Sequence, residues 1–173
     1  MQIRTADASD LESITKVHVD AFGDEGATVS DLALALIHDE SAQPLLALVA
    51  EEDSEVVGSI IFSSVYIKGA KDVSAFILAP LAVKTRLQRM GIGRELIENG
   101  LRVLRERGAE LVFVLGDPGY YARFGFSSYH KVSAPYELQY PEAWMAMALQ
   151  GIQLKAVSGR LVCARSLSSP QHW

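Results

Sequence analysis

The chain has one cysteine, Cys163, among its 173 residues. A single thiol cannot form a disulfide within the chain, so a disulfide-stapled scaffold is excluded and a reducing compartment is indicated. The composition is 49% hydrophobic and 21% charged, as in ordinary globular proteins. A chain of this length buries enough surface to fold around one hydrophobic core without staples. We therefore expect a single domain.

Long apolar runs and an excess of basic charge are also missing. No run of apolar residues approaches the ~20 needed to span a bilayer, and the polar residues 1–7 lack the apolar region of a secretory signal. The formal net charge of −5 disfavours non-specific nucleic-acid binding, which needs a basic face. We predict a cytoplasmic protein that binds neither nucleic acid nor a membrane.

Hydrophobic periodicity divides the chain into helices and strands. A capping box from Ser9 to Glu12 predicts that the first helix begins there, and the periodicity ends near Phe22. Further helices are predicted at 30–38, at 91–107 and from 118, and strands at 2–6, 45–51, 56–67, 73–83, 110–115, 144–149, 152–157 and 161–164. This order predicts a mixed α/β domain over residues 1–150. A C-terminal β extension over residues 151–173 is expected to pack on the same domain.

Two prolines carry local predictions. Pro80 interrupts the strand 73–83, and because proline cannot donate to a strand ladder it should lie at a bulge or on an unpaired side. Asp117 precedes Pro118, which suits the start of a helix with the carboxylate as its cap and the proline in its first turn.

The segment that follows the strand 73–83 is basic and contains glycine. Gly91 and Gly93 open a long helix, and the free amides at a helix N-terminus bind anions together with the positive end of the helix dipole. Glycine lets the backbone close on a phosphate without a Cβ in the way. The basic residues of the segment are Lys84, Arg86, Arg89 and Arg94. The segment therefore predicts a phosphate or pyrophosphate site.

Three other interpretations of this segment compete with the first. A turn relieved by glycine, with solvated basic side chains, would bind no ligand. A dinucleotide-binding loop would need a third glycine at the position of Leu96. A P-loop would need a Lys-Ser/Thr pair after the glycines, which this sequence does not have.

Two motifs resemble the GNAT superfamily of N-acetyltransferases. Gln88-x-x-Gly91-x-Gly93 is similar to its pyrophosphate motif, Gln/Arg-x-x-Gly-x-Gly/Ala, in the expected strand–loop–helix setting. One helix and one strand later, Tyr121-Ala122-Arg123-Phe124-Gly125-Phe126 resembles its Tyr-x-Lys-x-Gly-Phe segment, with arginine in place of lysine. The longer string from Leu115 to Phe126 is close to the pattern of the YhbS-like subgroup. The resemblance covers roughly residues 1–150.

The resemblance implies an α/β fold with a mixed, mostly antiparallel central sheet, splayed central strands and flanking helices. The strand that ends at Val83 should splay from the strand 110–115 and leave a cleft for acetyl-CoA, the implied cosubstrate. Backbone groups of the first strand should bind the pantetheine arm, and loop amides should hold the pyrophosphate. The implied cofactor-binding residues are Leu81, Ala82, Val83, Gln88, Arg89, Met90, Gly91, Ile92, Gly93 and Arg94.

Tyr121 is the catalytic residue that the resemblance implies. Attack of a neutral amine on a thioester releases a thiolate, and a phenol close to the sulfur can protonate it. The neighbouring Tyr120 is expected to pack in the core. Arg123 is expected either to pair with a cofactor phosphate or to lie solvated.

The general base and the acceptor stay open at this point. Asp117, His130 and Glu137 are candidate bases, although Asp117 is expected to cap its helix, and a water chain can replace all three. The implied activity is direct transfer of an acetyl group to a primary amine, of a small molecule or a protein, in a ternary complex. The alternative is a non-catalytic acyl-CoA-binding sensor or regulatory module. No metal-ligand spacing is present, and a homodimer is an open alternative because dimers are common in such families.

Overall fold

The strands of the chain form one open sheet, described for residues 1–173 by a computed structural model. The strands are β1 Gln2–Thr5, β2 Leu45–Glu52, β3 Glu55–Ile67, β4 Ala75–Val83, β5 Leu111–Leu115, β6 Lys131–Ser133, β7 Trp144–Ala148 and β8 Ser158–Val162. The helices are α1 Leu11–Phe22, α2 Gly26–His38, α3 Ile92–Glu106 and the short α4 Pro118–Tyr121. The main path runs β1-β2-β3-β4-β5-β7, and β8 pairs with both β3 and β6. Only β4–β5 and β6–β8 are parallel pairs, which confirms the predicted mixed, mostly antiparallel sheet.

Helices cover both faces of the sheet, so the buried residues form two clusters rather than the single core expected from the sequence. On the face of α1 and α2, Leu36 packs in one cluster with Phe113. On the face of α3, Leu96 packs in the other with Phe62. Helix α3 approaches the sheet closely at Gly100, where a Cβ would lie 2.2 Å from the Phe62 ring. A sheet with both faces covered necessarily has one apolar layer on each side.

The N-terminal cap of the first helical segment is Asp7, so the predicted cap at Ser9 is wrong. The Asp7 carboxylate accepts a 2.7 Å hydrogen bond from the Ser9 amide, and the Asp7 amide donates to Asp10 at 2.8 Å. Arg4 on β1 donates to both Asp10 carboxylate oxygens, at 2.7 and 2.8 Å. The bonds from Arg4 hold the Asp10 side chain where it can accept from the Asp7 amide. The residues of the turn alone do not reveal this contact with β1.

Other elements also differ from the prediction, among them β8, which begins at Ser158 rather than at residue 161. Helix α2 begins at Gly26 rather than at residue 30, because Gly26 lets the helix lie against α1, where a Cβ would be 2.6 Å from the Val19 carbonyl oxygen. The predicted strand 152–157 is wrong, since Leu154–Ala156 forms a 3₁₀ turn. Strand β6, which the sequence analysis missed, is short and pairs only with β8.

Pro80 lies at a bulge between β3 and β4, as predicted. Ile60 pairs with Leu81, but Phe62 pairs with Leu78, so the strand β4 has an extra residue opposite Ile61. The bulge places the proline where its missing amide breaks no regular ladder.

Strands β4 and β5 separate after a short parallel contact. Only Ala75, Phe76 and Ile77 pair with β5, opposite the residues from Leu111 to Phe113. Beyond this contact, residues 78–83 of β4 follow β3, with the bulge at residues 79 and 80, but have no strand partner on their other edge. The predicted splay of the central strands is therefore confirmed. Among the helices, none combines the length and the apolar character needed to cross a membrane.

Candidate functional site

Two cavities meet at Leu81 on the splayed part of β4. The first, of about 640 Å³, lies between the end of β4, the start of α3 and α4. It is lined by Leu81, Val83, Leu87, Gln88, Arg89, Gly91, Gly93, Arg94, Glu98, Tyr120, Arg123 and Phe124. The second, of about 530 Å³, lies on the far side of Leu81 and includes Tyr121. A chain of ligand atoms that follows the β4 edge would therefore pass from one cavity to the other.

The floor of the first cavity is the N-terminus of α3. Gly91 precedes the helix with a φ of 92°, a left-handed conformation that favours glycine. The first intrahelical bond runs from the Glu95 amide to the Gly91 carbonyl at 3.0 Å, so the amides of Ile92, Gly93 and Arg94 have no partner in the helix. Open space lies where a Gly91 Cβ would point. Unpaired amides beside open space are suited to binding an anion, so this helix start is a candidate anion site.

Three of the predicted cofactor-binding residues do not line this cavity. The Ala82 side chain is buried on the opposite face, in the cluster under α1 and α2. The Ile92 side chain is buried in the other cluster, and the Met90 side chain is 70% exposed to solvent. At Ala82 and Ile92 only the backbone is left to contact a ligand.

The basic residues of the segment divide into paired and unpaired groups. Lys84 and Arg86 both form salt bridges with Glu55 at the start of β3, so they do not add free charge to the site as the sequence analysis expected. Arg94 pairs with Glu98 at 2.8 Å. Arg89 forms no salt bridge and lines the cavity.

A second unpaired cation, Arg123, reaches the first cavity from the other side. Its guanidinium lies 4.9 Å from the centre of the Tyr120 ring, and its Nε donates a weak hydrogen bond of 3.4 Å to the Tyr120 carbonyl. Tyr120 packs against the cluster on the α3 face, as expected, but its ring is only half-buried and also lines the cavity. Its hydroxyl lies 2.9 Å from the point where a Gly93 Cβ would stand.

Backbone groups at the end of β4 face the splay. The Lys84 amide donates to the Val57 carbonyl of β3 at 2.9 Å. Because backbone groups of a strand alternate between its two edges, Ala82 also bonds toward β3, whereas Leu81 and Val83 face away from it. The Val83 carbonyl accepts a 3.1 Å hydrogen bond from the Gln88 side chain, which ties the loop to the strand.

Tyr121 lines the second cavity, and its neighbour Tyr120 lines the first. Its ring contacts Phe126 and Tyr120 edge-on, with centroid distances of 5.8 and 5.0 Å. Gly116 makes room for the ring, since a Cβ there would lie 2.4 Å from a ring carbon. Burial, with a smaller contribution from Tyr120, raises the pKa of the Tyr121 phenol above its ordinary value. The phenol is therefore protonated throughout the neutral range.

None of the three candidate bases lines either cavity. Asp117 caps α4 by accepting from the Gly119 amide at 2.9 Å. The His130 Nε2 lies 2.9 Å from the Trp144 carbonyl, and the His130 Nδ1 lies 3.3 Å from the Val132 amide, so the ring is held inside the fold. Glu137 is exposed elsewhere on the surface.

Sequence reasoning missed several residues that line the cavities. Phe124 lies inside the same motif as Tyr121, so that motif contained the signal for it. Glu25 and His172 line the second cavity but belong to no motif, and they come from opposite ends of the chain. No group of three or more His, Cys, Asp or Glu side chains is placed to hold a metal ion.

Comparison with known proteins identifies the class. Residues 11–126 match the acetyltransferase (GNAT) family. The match covers more than half of the chain, and the splayed strands and the anion site at α3 have the geometry expected from the two motifs. The chain belongs to the acetyltransferase (GNAT) family.

Individual relatives share both sequence and fold with it. The uncharacterized N-acetyltransferase YjhQ of Escherichia coli (strain K12) is 38% identical over 164 residues, which make up 91% of this chain and 89% of that protein. The crystal structure of the GNAT family N-acetyltransferase YhbS from Escherichia coli in complex with CoA has a TM-score of 0.88 at 28% identity, covering 98% of this chain and 92% of that one. A GNAT family acetyltransferase from Brucella melitensis, crystallised with acetyl-CoA, has a TM-score of 0.78 at 31% identity, covering 96% of this chain and 97% of that one.

Proposed function

We propose that this protein binds acetyl-CoA in the first cavity and transfers its acetyl group to a primary amine bound in the second. The observation that carries the proposal is the free edge of β4, which leads from the candidate anion site at α3 to Leu81, the residue that lines both cavities, with Tyr121 lining the second. Two of the similar structures hold CoA and acetyl-CoA, which supports the choice of cosubstrate.

The first cavity suits each part of that cosubstrate. The amides from Arg89 to Arg94 would receive the pyrophosphate, with the Arg89 and Arg123 guanidinium groups neutralising its charge. The outward backbone groups of Leu81 and Val83 would pair with the amides of the pantetheine arm as an added strand does. The thioester would then lie beside Leu81, which both cavities share.

The chemistry follows from this placement. The nitrogen of a neutral amine forms a bond with the acetyl carbon, and the carbon–sulfur bond breaks with its electron pair left on sulfur. The Tyr121 hydroxyl gives its proton to the departing sulfur, and the proton released by the amine returns to the phenol through water. A phenol is protonated at neutral pH even at its ordinary pKa of about 10, and burial raises the pKa of Tyr121 further, so the proton is present when the thiolate forms. The transfer is direct, and no side chain is acetylated on the way.

Ligand-dependent melting and CoA release test the proposal together. Acetyl-CoA should raise the melting temperature, while NAD and ATP should raise it much less, since only acetyl-CoA can use the β4 edge. Release of CoA should depend on an added primary amine. Cys163 also reacts with thiol dyes, so a blank with protein but no acetyl-CoA is needed. Equal stabilisation by all three ligands would refute the site, and binding without transfer would favour an acyl-CoA sensor.

A further inference from the structure

The second cavity is apolar and is assembled from four distant parts of the chain. Ten of its 15 lining residues are hydrophobic. Phe22 at the end of α1, Val29 and Leu32 on α2, and Leu167 near the end of the chain surround the space next to Tyr121. Phe22 is 36% exposed, so an apolar ring stands at the rim of the cavity, open to a ligand.

The wall formed by the segment after β8 is held in place by hydrogen bonds. The Asp39 carboxylate accepts from the Ser166 amide at 2.9 Å and from the Ser166 hydroxyl at 2.5 Å. The Trp173 indole donates to the Leu167 carbonyl at 2.8 Å. The residues that this segment contributes to the cavity are therefore positioned before any ligand binds, and a preformed wall costs less affinity than one that must be ordered.

Charge is sparse among the groups that line the cavity. Glu25 is its one carboxylate, and neither lysine nor arginine lines it. Burial lowers the pKa of the His172 imidazole, so this ring is neutral at pH 7. A polyamine or aminoglycoside would bring several cations to one carboxylate, and an amino acid would bring a carboxylate to a cavity without a cation.

We infer that the second cavity selects a primary amine carried on an apolar, uncharged body, an alkylamine or arylalkylamine, whose ammonium group is attracted by the Glu25 carboxylate. This inference rests on the proposed function and names its acceptor class. The apolar body contacts the side chains of Phe22, Val29 and Leu32, and the nitrogen reaches the thioester beside Tyr121 after it loses its proton.

Kinetics with a graded amine panel test the inference. CoA release is measured at saturating acetyl-CoA with propylamine, butylamine, pentylamine and phenethylamine, and with spermidine, kanamycin and glycine for comparison. Each added methylene should lower KM about fourfold, which corresponds to ~0.8 kcal/mol per buried CH₂. The alkylamines and phenethylamine should have the largest kcat/KM.

A pair of adjacent acidic residues supplies the matched variants. Glu25→Gln should raise KM for phenethylamine at least about fivefold, whereas Asp24→Asn, in the same turn but outside the cavity, should leave it unchanged. Both residues are exposed, so neither change should alter folding. Binding of phenethylamine to the protein saturated with CoA, measured by calorimetry, should weaken in Glu25→Gln alone. The affinity for acetyl-CoA should be the same in all three proteins.

The outcomes separate this inference from the proposed function. Preference for spermidine, kanamycin or glycine, a KM that does not depend on chain length, or equal effects of Glu25→Gln and Asp24→Asn would overturn the acceptor class while acetyl transfer stands. Failure to bind acetyl-CoA, or to release CoA with any amine, would instead overturn the proposed function and this inference with it.

Discussion

Replacement of Tyr121 by phenylalanine removes one hydroxyl and leaves the ring in place. The ring is fixed by its contacts with Phe126 and Tyr120 and by the space above Gly116, all of which phenylalanine can use. The pKa of the phenol is raised mainly by burial, and no hydrogen bond contributes to the shift. Removal of the hydroxyl therefore leaves no protein group without a hydrogen-bond partner. We expect the free energy of unfolding to change by less than about 1 kcal/mol.

Turnover should respond much more strongly than stability. General acid catalysis contributes typically about 10²- to 10⁴-fold, and a thiolate leaves fairly well unaided, so we expect the low end. A loss of about 10² in kcat corresponds to about 2.7 kcal/mol in the activation free energy. Because Tyr121 does not line the first cavity, the Kd for acetyl-CoA should remain that of the wild type.

Single-turnover kinetics with a saturating amine would measure the chemical step directly. Tyr120→Phe is the matched control, since its hydroxyl lies beside Gly93 in the first cavity and should affect the Kd for acetyl-CoA more than the rate of transfer. The raised pKa of Tyr121 also predicts no loss of rate from this group up to about pH 10, where an ordinary phenol would ionise. A Tyr121→Phe protein that transfers acetyl groups at the wild-type rate would refute the role of the phenol.

Three further changes test other parts of the structure. Gly116→Ala would place a Cβ 2.4 Å from the Tyr121 ring and displace it, so kcat should fall by about tenfold or more while acetyl-CoA still raises the melting temperature. Gly93→Asp keeps a helical backbone but adds a negative charge to the anion site, so the acetyl-CoA-dependent rise in melting temperature should disappear. Asp10→Asn should lower the free energy of unfolding by about 1–3 kcal/mol at pH 7, measured with urea. Hydrogen bonds from Arg4 lower the pKa of Asp10, so this stabilisation is present above the unfolded pKa of about 3.9 and is lost as pH falls through the folded value. The difference between wild type and Asp10→Asn should therefore shrink as the pH falls below about 4, and a difference that stays constant as the pH falls from about 5 to about 2 would contradict the ion pair.

The anion site was predictable because it is built from neighbouring residues. Gln88, Gly91 and Gly93 lie within one strand–loop–helix unit, and the free amides follow from the start of the helix itself. The cap of α4 by Asp117 and the bulge at Pro80 are likewise consequences of one residue and its immediate neighbours. The charge of the site was less predictable.

Charges near the site depend on contacts between distant segments. Lys84 and Arg86 form salt bridges with Glu55, which is about 30 residues away in the chain. Arg89 is therefore the unpaired cation of the loop. The sequence did not predict which cavity each of Tyr120 and Tyr121 lines. Adjacent residues on a short helix point in different directions, and the packing of the helix determines which cavity each ring faces. Gly93 leaves room for the Tyr120 hydroxyl, and Gly116 leaves room for the Tyr121 ring.

By itself the sequence determined the periodicity of the main elements, the family and the anion site, because these depend on interactions within a few residues. The second cavity, which we propose as the acceptor site, was decided only by the tertiary structure. Its Glu25, Tyr121 and His172 come from three separate segments, and their meeting depends on the packing of α2, the splay of β4 from β5, and the anchoring of the last segment through Asp39. No local sequence pattern predicts that these segments come together, because the sequence of each segment is equally compatible with a fold in which they are far apart.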